Sequence, residues 1–271
     1  MLNNPSDLGP GDRKSASFDW NGFEIIEITS ATHPYFEGVY SKLWEEFGQK
    51  GELESRETIT RRFEQNSSSN AKGHHIYYQL LSVWQEGKFA AACDHSVILL
   101  NPAEEAVVHL SHILLAPSQR GTGLTGWVRA WPVQAARQCL SAAGRPNLPI
   151  TVVAEMDPFD ATSEASVRRT KGFKKGGLRR VDPHPFDYWQ PDFRPSHEID
   201  QGRGPKPLSL QLLLRQVGKE DETEISALRL HRIITALYTM YGENFRAQDM
   251  APVWKHLEAF PLKDGLKVSL E

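Results

Sequence analysis

The sequence predicts an α/β protein built on a mixed sheet. Two observations carry this. Early in the chain, apolar β-rich runs over 76–84 and 89–100 flank Gln85-Glu86-Gly87-Lys88, a hairpin turn. In the middle, runs over 106–116 and 149–154 flank a long helical pattern. A hairpin makes its strands antiparallel, whereas a strand–helix–strand crossover brings the chain back parallel. One sheet must therefore hold both kinds of pair.

The elements follow in order. Met1 to Ser17 is polar and rich in Pro, Gly and Asp, without the apolar run of a signal peptide. Residues 1–20 are expected to be a disordered tail. Phe23 to Ile28 is a short strand. Phe36, Val39, Tyr40, Leu43, Trp44 and Phe47 recur at helical spacing, and Gly48 ends that helix. A weaker helix spans Ser55 to Gln65, and Asn66 to Asn70 is a loop by composition. After the hairpin comes the strand 106–116, then a helix over 122–143, where Pro132 predicts a kink. The run 149–154 is a strand buried on both faces. A polar helix over 160–171 stops at Gly172, and 173–181 is a strand. The insert 183–207 holds six prolines and is expected to be irregular. The run 208–217 is the last strand. Beyond it, Leu230, Ile233, Ile234, Leu237, Tyr238 and Tyr241 form a helical stripe, and a last helix runs over 250–259 behind Asp249 as N-cap. The division is thus a head (1–20), a core domain (21–218) and a helical extension (219–271).

Composition excludes several classes. The 271 residues carry a net charge of −3, from 31 basic against 34 acidic side chains, so no basic nucleic-acid footprint is expected. No apolar run approaches the ~18 residues of a membrane span. Cys93 and Cys139 are far apart and set in apolar surroundings, which fits free thiols in a reducing cytoplasm.

The informative stretch is Val108 to Gly126. It reads as a buried strand, a turn with Pro117, then Arg120-Gly121-Thr122-Gly123-Leu124-Thr125 opening a helix. Glycines let backbone N–H groups approach a ligand, and a helix N-terminus favours an anion such as a pyrophosphate. Arg120 adds a fixed positive charge. The alternative is a glycine turn that binds nothing. A Walker loop is excluded because no Gly-Lys-Ser/Thr follows, and the spacing does not fit a Rossmann fingerprint.

With this motif the chain resembles the GNAT superfamily of acyl-CoA-dependent N-acyltransferases. Arg120-Gly-Thr-Gly123-Leu-Thr125 matches the family's Arg/Gln-x-x-Gly-x-Gly/Ala, with Thr125 in the last small position. Ser163 to Gly172-Phe173 matches its helix closing in Gly-Phe. The resemblance implies a GNAT-like fold over 23–217 and acetyl-CoA as co-substrate. The amides of Arg120, Gly121, Thr122, Gly123, Leu124 and Thr125 would hold the pyrophosphate. Ile113, Leu114 and Leu115 would pair with pantetheine in a splay between their strand and 149–156. It further implies acetyl transfer by direct attack of a small amine or amino acid, with no metal. A non-catalytic CoA-binding protein and a protein or peptide acetyltransferase are the alternatives.

Amide formation needs a neutral amine, although a lysine-like amine has a pKa of ~10.4. It also needs donors for the oxyanion and an acid for the departing thiolate. The family's usual Glu and Tyr positions are Ser111 and Arg168 here. The base is therefore sought at Glu155 and His109, with His112 and Asp94 as further candidates. Each has a structural reading as a satisfied polar residue. Strand alternation places His109 with Ser111 and puts His112 on the opposite face, which would exclude a His109/His112 metal pair. Tyr188 and Trp189 of the insert could cap the acceptor site. Trp127 and Trp131 are expected in the core. Tyr238, Tyr241 and Trp254 could cover the sheet edge or form a homodimer contact.

Overall fold

The computed structural model describes residues 4–66, 68, 70, 72–184 and 186–271. Its main element is a mixed sheet in the order β1-β2-β3-β4-β5-β8-β6, with β7 also paired to β8. The strands are β1 (Phe23–Ile28), β2 (His75–Gln85), β3 (Lys88–Leu99), β4 (Ala106–Leu115), β5 (Ile150–Met156), β6 (Arg179–Arg180), β7 (Tyr188–Gln190) and β8 (Leu208–Gln216). Glu86 and Gly87 both have positive φ, 49° and 76°, which matches the twist of the β2–β3 hairpin. Only β4 and β5 run parallel, joined by the crossover helix α3 (Leu124–Ala142).

Helices cover both faces. On one lies α3, with Trp127 and Trp131 buried against Leu81, Cys93, Val108 and Val152. The helix is continuous through Pro132. On the other lie α1 (Phe36–Phe47) and α2 (Arg56–Gln65), which bury Phe36, Leu43 and Ile59 against Leu80 and Ala92. Beside them sit α6 (Ala227–Gly242) and α7 (Ala247–Glu258), packed on Val107, Val153 and Leu214.

Several expectations are corrected. From residue 4 onward, the N-terminal segment is not a disordered tail. Pro5–Asp7 and Pro10–Ser17 form 3₁₀ turns that strap across α3. Asp12 accepts two hydrogen bonds from Arg129 at 2.9 and 2.7 Å, Arg215 donates to the carbonyls of Asp7 and Leu8, and Trp127 Nε1 donates to the Ser15 carbonyl at 2.7 Å. Polar composition hid these partners, which lie more than 100 residues away. Residues 1–3 of that expectation fall outside the described residues.

The helix α4 (Glu164–Lys175) runs past Gly172, so the expected strand over 173–181 shrinks to Arg179–Arg180. Glycine ends a helix only where a left-handed cap is taken, and here the positive φ falls at Gly177. The insert is partly regular, holding β7 and a short helix α5 (Ser196–Gln201), while Pro185 lies outside the described residues. Ser67 and Ser69 of the 66–70 loop also lie outside them. The helical end contains a second small sheet, β9 (Glu224–Ser226) with β10 (Lys267–Ser269). The α7 cap is Arg246 rather than Asp249, whose carboxylate instead holds the Arg246 guanidinium.

Candidate active site

The site begins where the sheet comes apart. β4 and β5 pair only from Ala106/Ile150 to His109/Val153. Past that point β4 continues to Leu115 alongside β3, while β5 continues to Met156 alongside β8. Among the described residues, the edge of β4 from Leu110 to Leu115 thus has no strand partner on its β5 side. This is the splay that the resemblance implied, and Ile113, Leu114 and Leu115 line it.

A bulge shapes the apex. The β3–β4 register runs Asp94↔His112 and then His95↔Leu110, leaving Ser111 unpaired. The extra residue shifts the alternation, so His109 and His112 share a face, contrary to the sequence expectation. They do different things there. The Nδ1 of His112 is 2.8 Å from Asp94 Oδ1, and its Nε2 is 3.0 Å from the Glu52 carbonyl. Both partners are acceptors, so the ring carries both protons. Burial disfavours that charge, but Asp94 outweighs it and holds His112 above the usual histidine range. Asp94 is likewise held below the usual range, because His112 and its hydrogen bond outweigh burial. This buried pair staples the α1–α2 loop to β4 and is saturated. Among the described residues no three metal-capable side chains come together.

His109 faces Glu155 across the apex. Its Nε2 lies 3.4 Å from Glu155 Oε2 and its Nδ1 lies 3.1 Å from Ser111 Oγ. Glu155, near the end of β5, accepts from Tyr188 Oη on Oε1, and from Gln190 Nε2 (2.9 Å) and Tyr241 Oη (3.0 Å) on Oε2. Burial pushes its carboxyl up, yet His109 and the tyrosine hydroxyls prevail and hold it below the ordinary value. Glu155 is therefore a fixed anion. Tyr188 and Gln190 come from the insert and Tyr241 from α6. The helical extension thus covers a sheet face and reaches the site. Trp189 does not reach it, stacking instead on His256 with centroids 3.8 Å apart.

A cleft of about 570 Å³ surrounds this apex. Arg120, Gly121 and Thr125 line it, with Arg168 and Arg169 of α4. Arginine guanidinium groups of this kind pair well with phosphate oxygens. Leu124 is fully buried in the core, Gly123 is half-buried beside Ser15 of the strap, and Gly121 and Thr122 are exposed. Glu46, Glu52, Glu54 and Asp157 line the same cleft, and Asp157 Oδ2 lies 3.3 Å from Arg169 Nη1. Arg62 pairs with Glu54, buried, at 2.6 Å, whereas Glu52 has no ion pair among the described residues and burial pushes its carboxyl up. Sequence reasoning missed Tyr241 and Gln190 as site residues. Tyr241 sat in an apolar stripe that reads as packing, and Gln190 has no local signal.

The mixed sheet with helices on both faces expected from the sequence is present. No family model matches the chain, and no curated protein matches it. Among solved structures, it is similar to a GNAT-family acetyltransferase of Streptococcus pneumoniae, at 14% identity over 72% of this chain and 100% of that one, with a TM-score of 0.36. It is similar to YncA of Salmonella typhimurium, solved with acetyl-CoA, at 15% identity over 73% and 96%, with a TM-score of 0.39. It is also similar to an aminoglycoside acetyltransferase from an uncultured soil metagenomic sample, at 16% identity over 56% and 88%, with a TM-score of 0.36.

Proposed function

We propose that the protein transfers an acyl group, acetyl in the simplest case, from acyl-CoA to the primary amine of a small cationic acceptor. The observation that carries this reading is the splay of β4 from β5, with the His109–Glu155 pair at its apex and Arg120 and Arg168 lining the same cleft. The free edge of β4 offers backbone donors and acceptors to the amide-bearing arm of the donor. Arg120 and Arg168 face its phosphates. Glu52, a lining carboxylate without an ion pair among the described residues, attracts the cationic acceptor.

Chemistry assigns different work to the two central residues. A carboxylate held low by three neutral donors and a histidine is a poor proton acceptor. Glu155 therefore orients His109 and stabilises its imidazolium, and His109 takes the proton from the acceptor. Glu155 is a positioning residue in this scheme. The co-substrate needs no metal here, and the reading is compatible with the cytoplasm. No helix among the described residues is long and apolar enough to cross a membrane.

Thiol release from acetyl-CoA with a panel of small amines tests the reading. Diamines should turn over best, and Glu52→Gln should raise their KM several-fold with little change in kcat. If acetyl-CoA raises the melting temperature but no amine releases CoA, the protein binds the donor without catalysis.

A further inference from the structure

We infer that Ser111 is the first acceptor of the acyl group, so that transfer runs through an acyl-serine rather than by direct attack of the amine. This rests on the acyl-CoA reading above and deepens it. Ser111 is the extra residue of the β4 bulge, it lines the cleft, and it is partly exposed there. Its Oγ lies 3.1 Å from His109 Nδ1, and His109 Nε2 lies 3.4 Å from Glu155 Oε2. A nucleophile, a base and an orienting carboxylate thus stand in line.

Proton bookkeeping fixes the direction of each bond. Glu155 already accepts from Tyr188, Gln190 and Tyr241, and as a carboxylate it can only accept. The proton on His109 therefore sits on Nε2, and Nδ1 is left with the lone pair that faces the serine hydroxyl. In the first step Oγ attacks the thioester carbonyl carbon, and its proton passes to Nδ1. The C–S bond then breaks, and the same proton goes to the departing thiolate, giving free CoA and an ester on Ser111. The backbone N–H groups on the unpaired edge of β4 past His109 are the available donors for the oxyanion. In the second step the amine attacks the ester carbonyl, loses its proton to Nδ1, and that proton returns to Oγ as the amide leaves. No oxidant, metal or further reactant enters.

Two consequences separate this route from direct attack. Water can replace the amine, so the protein should hydrolyse acetyl-CoA slowly when no amine is present. Each half-reaction should also run without the other substrate. The test incubates full-length protein with acetyl-CoA alone, quenches in acid and maps any adduct by peptide mass spectrometry. The expected result is one acetyl group on the peptide holding Ser111, discharged by added amine, with parallel lines in double-reciprocal plots. Ser111→Ala should keep the wild-type melting temperature and its shift by acetyl-CoA, lose the adduct and the hydrolysis, and slow transfer by roughly 10²–10⁴-fold. Intersecting lines together with near wild-type transfer by Ser111→Ala would overturn the serine route and leave acyl transfer standing. Absence of CoA release by wild type with amine or water would remove both.

Discussion

Glu155, next to last in β5, has four groups directed at its two oxygens, and that crowding makes its replacement informative. Glu155→Gln keeps the size but turns one oxygen into a donor, which faces the donors already aimed there. His109 then loses the acceptor that holds its Nε2 proton. We expect kcat to fall by roughly 10²–10⁴-fold, while the acetyl-CoA-induced rise in melting temperature is retained; an equal loss of donor binding would place Glu155 in donor binding instead. The Asp94–His112 staple gives a pH signature in stability. His112 is raised, so its contribution is fully present below its unfolded value of ~6.5 and is lost as pH rises through the raised value. Asp94 is lowered, so its contribution is present above ~3.9 and is lost as pH falls through the lowered value. The stability margin of wild type over His112→Asn should therefore shrink as the medium turns alkaline, measured by denaturant melts across pH. A margin constant with pH would mean that His112 is neutral. Glu155 was readable in the sequence as a carboxylate near the end of an apolar strand, and His109 as a histidine set within one. The bulge was not readable, since one unpaired residue leaves no mark on composition and yet moves His112 to the other face.

At the scale of elements, the strap over α3 makes the clearest prediction. Asp12 and Arg129 are both buried, and Lys175 is the only other cation near Asp12 among the described residues. Asp12→Ala leaves the Arg129 guanidinium buried without its partner, at a cost of about 3–5 kcal/mol. The melting temperature should drop by about 10 °C for a chain of this size. Calorimetry would show it, and an unchanged midpoint would mean that the strap is loosely held in solution. Elements with strong periodicity, such as α1, α3 and the β2–β3 hairpin, were legible because burial imposes the period. The strands β7, β9 and β10 were not. They are three residues long and are held by partners distant in sequence.

Across the whole molecule, one sheet organises three apolar clusters and the proposed catalytic apex. The segment read as an extension supplies Tyr241 to that apex, and the insert supplies Tyr188 and Gln190, so the site is complete only when the chain beyond residue 183 is in place. Acyl transfer at His109 is the claim on which the account turns. It is tested most directly by following CoA release from acetyl-CoA against cationic amines, with wild type and His109→Ala side by side. The account predicts turnover by wild type, a fall of about 10²–10⁴-fold in His109→Ala, and the same acetyl-CoA-induced rise in melting temperature in both. Equal rates in the two proteins, or no CoA release from wild type with any amine, would contradict it.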